Sequence, residues 1–384
     1  PMLIVADAKN SLVNTAFRGL GEVRTLPTKE ITRATLKDAD VVIVRSETRI
    51  NADLLEGTSV RFVATATIGT DHVDRDYLDR SGIGFANAPG SNANSVAEYM
   101  VAALLVLARE KKFSLQKSSI AIIGVGAVGS RVERIARTLG MDVFLNDPPL
   151  ARTTGDPKYL PLQDLLHADI VSLHVPLTSG GDDPTYHLFD DSIIGRLKQG
   201  SILVNTSRGG VVETDALKTV LRGGRLAGAV LDVWENEPHI DTDLLELSTI
   251  GTPHIAGYSL DGKVNAAQAI FRAIGAHFGL SASWELDKKN LPGPQFPLIR
   301  VEDGSQEISQ TLLQVVRNCY DIEADDARLR EMLALSPGER EGYFRALRSG
   351  YAVRREFCNS TVHLPDALRE TGGILRALGF PILF

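Results

Sequence analysis

Short unbroken apolar runs recur through the first two-thirds of the chain, with helix-like patterns between them. The runs Leu3–Ala6, Val41–Arg45, Phe62–Ala66, Ser119–Ile123, Asp142–Asn146, Ile170–His174, Ile202–Asn205 and Ala227–Leu231 read as strands. Most are rich in β-branched residues and continuous rather than alternating, which suits parallel strands covered on both faces. The intervening helical patterns then predict βαβ units with right-handed crossovers. At Ala88-Pro89-Gly90-Ser91-Asn92-Ala93-Asn94 the sequence has turn chemistry. Ser95-Val96-Ala97-Glu98 follows and matches a capping box, ahead of an apolar helix running to about Leu107. A second helical return is expected over Gly262–Phe278. Leu291-Pro292-Gly293-Pro294 reads as a linker, beyond which the βαβ rhythm stops. Helix-like patterns persist there at Gln306–Cys319 and Gly338–Ser349, with no repeat and no low-complexity tract.

Composition narrows the class. A chain of 384 residues with 43% hydrophobic and 23% charged residues is long enough for two or three domains and is not broadly disordered. Its net charge of −7 lacks the footprint of a general nucleic-acid binder, although a local basic pocket for a small anion stays open. No apolar run approaches the roughly 20 residues of a membrane helix, and Pro1–Asp7 has no signal-peptide layout. Cys319 and Cys358 form neither a Cys-x-x-Cys pair nor a disulfide framework. A cytoplasmic protein without membrane or nucleic-acid partners is the expectation.

The strongest local chemistry is Gly124-Val125-Gly126-Ala127-Val128-Gly129, between a strand and a helical stretch. Gly124 permits a tight turn, Gly126 admits a pyrophosphate against the backbone, and Gly129 lets helix and strand pack closely. The helix start then offers free N–H groups to the anion. Asp147 ends the next strand, 18 residues after Gly129, close to the ~20 expected for a carboxylate that binds adenosine ribose and repels a 2′-phosphate. NAD is therefore expected over NADP; Arg152, just downstream, is the one residue placed to receive a 2′-phosphate.

Three further residues follow later strands: Arg208 in Ser207-Arg208-Gly209-Gly210, Glu237 in Asp232–Pro238, and His254 in Thr252–Tyr258. Strand C-termini of a doubly wound sheet face the ligand crevice. There a guanidinium holds a carboxylate, an imidazole takes a hydroxyl proton, and a glutamate orients the imidazole. Each residue has a bland alternative, as surface ion pair, loop carboxylate or structural histidine, and spacing alone does not bring the three together. His72, His174 and His187 fall in loops or at strand ends, and no His-x-x-x-His pair exists, so no metal site is expected.

Taken together, Gly124–Gly129 with Asp147, Ser207-Arg208-Gly209, Glu237-Pro238 and Thr252-Pro253-His254 resemble the D-isomer-specific 2-hydroxyacid dehydrogenases over roughly residues 1–285. The resemblance implies an α/β fold: two Rossmann-like doubly wound parallel-sheet domains plus a smaller α+β C-terminal dimerisation domain. Its implied boundaries are 1–93 with 259–290 for a flavodoxin-like substrate domain, 94–258 for the NAD domain, and 291–384 for the dimerisation domain. It also implies catalysis by Arg208, Glu237 and His254. Ser46, Thr67 and Tyr258 would contact substrate, with Ile68 and Gly69 presenting backbone N–H groups to its carboxylate. Gly124, Gly126, Ala127, Val128, Gly129, Asp147, Val175, Thr206, Ser207, Arg208, Asp232 and Gly257 would form the NAD site. The stretch His254–Lys263 and the post-linker region narrow the resemblance to enzymes of small phosphorylated hydroxy acids that act as homodimers. Ser91, where many relatives carry Cys, and Val175, where some carry Thr, are departures that remove no essential chemistry. For the substrate phosphate, Arg45 beside Ser46 is the first candidate and Lys263 the second. The alternatives are another family enzyme, such as a D-3-phosphoglycerate dehydrogenase, or an NAD-sensing binding protein on the same scaffold.

Overall fold

The computed structural model describes residues 2–10, 12, 16–281, 284, 286 and 291–384. The expected domain end at residue 290 lies outside the described residues. Two units are distinguishable, Pro1–Asn92 with Ser259–Pro292, and Ala93–Tyr258 with Gly293–Phe384.

In the first unit the strands are β1 (Leu3–Asp7), β2 (Glu22–Leu26), β3 (Val41–Val44), β4 (Phe62–Thr65) and β5 (Gly84–Ala86). They form one parallel sheet in the order β2-β1-β3-β4-β5. Successive side chains of a strand point to opposite faces, so an apolar run feeds two cores at once. Val41 and Ile43 pack with Ile270, Phe271 and Ile274 of the helix Leu260–His277. Val42 and Val44 pack on the other face with Leu36, Ile50, Leu55 and Leu78.

The second unit contains β6 (Ser119–Ile123), β7 (Asp142–Asn146), β8 (Ile170–Leu173), β9 (Ile202–Asn205), β10 (Gly228–Leu231) and β11 (Ile250–Gly251). Their order is β11-β10-β9-β8-β6-β7, again all parallel. After β7 the chain crosses to the opposite side of β6, so the strand order reverses at the C-terminal end of β6. That is the position where a doubly wound sheet opens for a ligand.

The C-terminal residues add β12 (Leu298–Arg300), β13 (Thr361–His363) and β14 (Ile382–Leu383), a three-stranded parallel sheet in the order β12-β13-β14. They share a core with the preceding sheet: Leu312, Val315, Val316 and Phe357 pack in one cluster with the helix Ala93–Lys111. This corrects the reading of Ser95–Glu98. The helix begins at Ala93, and Ser95 is buried inside its first turns. Its hydroxyl donates to Glu356 (2.8 Å), while Glu98 accepts from the Phe357 N–H (2.8 Å). The capping pattern instead fastens the C-terminal segment.

Candidate active site

Three loops leave the C-terminal ends of the adjacent strands β9, β10 and β11. Arg208 stands after β9, Glu237 after β10 and His254 after β11. The sheet order thus brings to one end what the sequence separates. The first two loops touch through backbone: a Cβ at Gly209 would lie 2.0 Å from the Trp234 carbonyl, so only glycine allows the approach. Asn205 shapes the first loop. Its side-chain oxygen accepts from the N–H and hydroxyl of Ser207, and its amide donates to the Arg208 carbonyl at 2.9 Å.

His254 Nδ1 donates to Glu237 Oε2 at 2.7 Å, which leaves Nε2 as the ring nitrogen with a free lone pair. Glu237 Oε1 accepts from the Trp234 N–H at 2.9 Å, so the carboxylate is held at both oxygens. Burial works against its charge. The neighbouring His254, the Trp234 N–H and the Arg348 guanidinium outweigh that and hold it below the ordinary carboxylate range. His254 itself sits at φ 58°, a left-handed conformation that its loop must enforce. Asp232 supplies the enforcement. One of its oxygens accepts from the Thr252 hydroxyl (2.6 Å) and the Ile255 N–H (2.8 Å), the other from the Ala256 N–H (3.0 Å). Full burial raises the Asp232 carboxyl above its usual value. Tyr99 adds a hydroxyl contact to Thr252 at 2.8 Å. No periodicity or motif pointed to Tyr99, and Asp232 carried only a cofactor expectation.

The glycine turn lies at the reversal point of the sheet. Gly124 has φ +88°, and a Cβ there would strike the His174 carbonyl and Val175. At Gly129 a Cβ would lie 1.9 Å from the Gly124 carbonyl, whereas at Gly126 it would meet nothing within 4 Å. Gly126 therefore keeps backbone bare toward open space, as a cradle for a pyrophosphate requires. Ala127 and Val128 complete the turn into the helix Gly129–Thr138. Asp147 directly follows β7 and caps the next helix, with one oxygen accepting from the Val125 N–H (2.8 Å) and the other from the Leu150 N–H (3.0 Å). Each oxygen has a second lone pair for a ribose hydroxyl. Arg152, the sequence candidate for a 2′-phosphate, is engaged by Asp183. The donor set fits NAD. Thr206 bonds His174 Nδ1 at 3.2 Å, and Gly257 lies in the strip after His254.

The first unit presents its own polar residues at strand ends. Arg45 and Ser46 follow β3, and Thr67, Ile68 and Gly69 follow β4. Thr67 donates to the Gly69 carbonyl at 3.0 Å, and Asn87 donates to the Ile68 carbonyl at 2.7 Å. Among the described residues, the Ile68 and Gly69 N–H groups have no protein acceptor. Lys263, in the first turn of the helix Leu260–His277, is pushed below the ordinary lysine range by desolvation and then by the Arg45 charge. Two cations so placed repel each other and favour an anion beside them. The described residues contain no group of His, Cys, Asp and Glu able to hold a metal ion, and none of their helices is long and apolar enough to cross a membrane.

Comparison with known proteins gives the geometry its context. Residues 100–256 match the family described as D-isomer specific 2-hydroxyacid dehydrogenase, NAD binding domain, and residues 290–379 match a domain of unknown function. An erythronate-4-phosphate dehydrogenase of Salinibacter ruber is 46% identical over 366 residues, covering 94% of this chain and 93% of that protein. The erythronate-4-phosphate dehydrogenase of Stutzerimonas stutzeri is 41% identical over 383 residues, all of both chains. A crystal structure of NAD-dependent formate dehydrogenase from Staphylococcus aureus in complex with NAD aligns with a TM-score of 0.61. It is 26% identical and covers 74% of this chain and 98% of its own.

Proposed function

Since the chain belongs to the D-isomer specific 2-hydroxyacid dehydrogenases, and is thus an NAD-dependent oxidoreductase, we propose that it oxidises 4-phospho-D-erythronate to 2-oxo-3-hydroxy-4-phosphobutanoate. One NAD is reduced and one proton released per turnover. The reaction is an early step toward pyridoxal 5′-phosphate, the active form of vitamin B6. The observation that carries the reading is the 2.7 Å His254–Glu237 pair, set beside Arg208 on neighbouring strands of the sheet that bears the glycine turn.

When bound, NAD supplies the acceptor for the hydrogen leaving substrate C2. Gly124–Gly129 would hold its pyrophosphate and Asp147 its ribose, with Ala127, Val128, Val175, Thr206, Ser207, Asp232 and Gly257 completing the site. His254 Nε2 takes the proton of the C2 hydroxyl as the carbonyl forms. Glu237 stabilises the resulting imidazolium and keeps Nδ1 protonated, so that Nε2 is the nitrogen that works. Arg208 holds the substrate carboxylate in a planar fork and draws charge toward the C2 oxygen. Ile68 and Gly69 have unused N–H groups suited to a substrate carboxylate, and Ser46, Thr67 and Tyr258 are assigned further substrate contacts. Arg45 and Lys263 take the phosphate, because the protein's net charge of −7 opposes a dianion unless local cations meet it.

We assign the active form as a homodimer whose interface involves residues 296–384. Of the large apolar side chains exposed among the described residues, Phe296, Leu298, Val353, Leu383 and Phe384 all lie there. Two belong to the edge strands β12 and β14, whose unpaired backbone invites a partner. Light scattering of the intact chain tests this, and a monomer at micromolar concentration would refute it. The catalytic reading is tested by incubating the protein with 4-phosphoerythronate and NAD and identifying the product by mass spectrometry. Appearance of the 2-oxo acid with equimolar NADH is the expected result. NADH formation from 3-phosphoglycerate alone would assign a different substrate.

A further inference from the structure

The C-terminal residues match a domain without known function, yet they approach the catalytic strip 254–258 at successive points. Arg354 donates to the Ala256 carbonyl at 3.1 Å and to the Ser95 carbonyl at 2.6 Å. Its guanidinium lies 4.4 Å over the Tyr320 ring. Tyr351 meets Tyr258 edge-on, with ring centroids 5.8 Å apart, and is itself fixed by donating to Asp325 at 2.6 Å. Arg348, at the end of the helix Pro337–Ser349, stands over the Tyr258 ring at 5.8 Å.

Arg348 is unusual among the arginines of its helix. Arg345 is exposed and satisfied by Glu341, and Arg340 donates to the Leu335 carbonyl and Thr242. Arg348 has no hydrogen bond and no ion pair among the described residues, and its Nε is buried without an acceptor. Here the buried donor and the ring contact direct the charge toward the catalytic loops. Independently, Arg348 is one of the charges that lower Glu237.

We propose that the C-terminal segment 348–354 is a working part of the catalytic site, in which Arg348 is a positioning residue for Glu237 and Tyr258. Tyr351 and Arg354 brace the strip on which His254 is carried. The region then has a duty in turnover separate from any in assembly. This rests on the reading of His254 and Glu237 as the acid–base pair. The charged groups facing that pair are the Asp232 carboxylate, from the loop after β10, and the Arg348 guanidinium. Removing the cation leaves the carboxylates unopposed, so a proton on the imidazole is held more strongly.

The test compares Arg348→Met, Arg348→Gln and Arg348→Lys in the full-length protein, with Arg345→Met as a control remote from the site. NADH formation is followed across the pH range, and NAD affinity is measured by direct titration. The expected result for Met and Gln is a kcat roughly tenfold lower, an unchanged NAD affinity, and an acid limb of the pH–rate profile moved upward by roughly one unit. Lys restores the limb because it restores the charge, and the control behaves as wild type. If Arg348→Met fails to fold, the Gln and Lys variants give the same comparison. A neutral variant with wild-type kcat and profile overturns the proposal. So does a loss of activity with an unmoved limb and no rescue by Lys, which would mark packing alone. Substantial activity in His254→Ala would instead remove the underlying acid–base reading.

Discussion

His174 directly follows β8 and is half-buried, with Ser172 on one ring nitrogen (2.8 Å) and Thr206 on the other (3.2 Å). Burial lowers it from an ordinary value of 6.5 to about 3. The folded protein therefore keeps this ring neutral while the unfolded chain protonates it, from about pH 6.5 downward. Stability should fall through that window by up to about 1.4 kcal/mol per pH unit and cease falling on this account near pH 3. Glu237 works in the same direction but at lower pH. Its lowered folded value contributes stability above about pH 4.5, and that contribution is lost as pH drops through the folded value. Between pH 6.5 and 4.5 the histidine term stands apart. Thermal melts of His174→Gln should show a flatter pH dependence there than wild type. Parallel curves would place the titration elsewhere. At the pair itself, His254→Ala should lower kcat by about 10²–10⁴-fold while NAD still binds, because the general base is lost and the glycine turn is not. Turnover near wild type would show that another group takes the proton. Arg208→Lys should also be severe, since a point charge does not reproduce a planar fork.

At the level of elements, the glycine turn makes a contrast that separates fold from function. Gly129→Ala forces a Cβ into the Gly124 carbonyl and should destabilise the second unit by about 3 kcal/mol. Gly126→Ala meets no protein atom, so stability should stay within about 0.5 kcal/mol of wild type while NAD affinity drops. Calorimetry beside NAD titration distinguishes the two, and equal destabilisation would mean Gly126 is only structural. The same elements show what a single sequence makes legible. The strands Ser119–Ile123 and Ile202–Asn205 were readable to the residue because strands covered on both faces are largely apolar, and the edge strand Asp142–Asn146 because its Val143-Phe144-Leu145 run is unbroken. Glu22–Leu26 was not, since an edge strand with Glu22 and Arg24 facing water lacks that run. The short strands of the C-terminal sheet were equally silent. Loop motifs pointed to Arg208, Glu237 and His254, whose loops the sheet order brings to one end, but not to the Asp232 bracket or Arg348. Those depend on contacts across long stretches of chain, and a lone acid or arginine has no period to betray it. Ser95–Glu98 misled because its spacing serves equally well for a cap and for a donor and an acceptor along one buried helix face.

For the molecule as a whole, the C-terminal region is not detachable cover. The helix Ala93–Lys111 is buried almost throughout, partly by Leu312, Val315, Val316 and Phe357. Truncation after Leu291 would strip those residues away and leave the Arg354 and Glu356 partners on that helix unmatched. The expected product is aggregated protein without NAD binding. A soluble truncated chain that still titrated NAD would show that the second unit closes its core unaided.

The first unit is written in two separated pieces, and this sets a timetable for its birth. Its five strands are complete in the nascent chain by Ala86, but one face of the sheet is covered by Ile270, Phe271 and Ile274. At the usual 5–20 residues per second, the ribosome takes roughly 10–40 s to supply them. During that interval Ile4, Val41, Ile43 and Phe62 have no permanent cover, and the second unit's sheet is being synthesised meanwhile. A sheet whose strands are translated before the second unit's is thus covered only after them, and slowing translation between residues 92 and 259 should lengthen its dependence on chaperones.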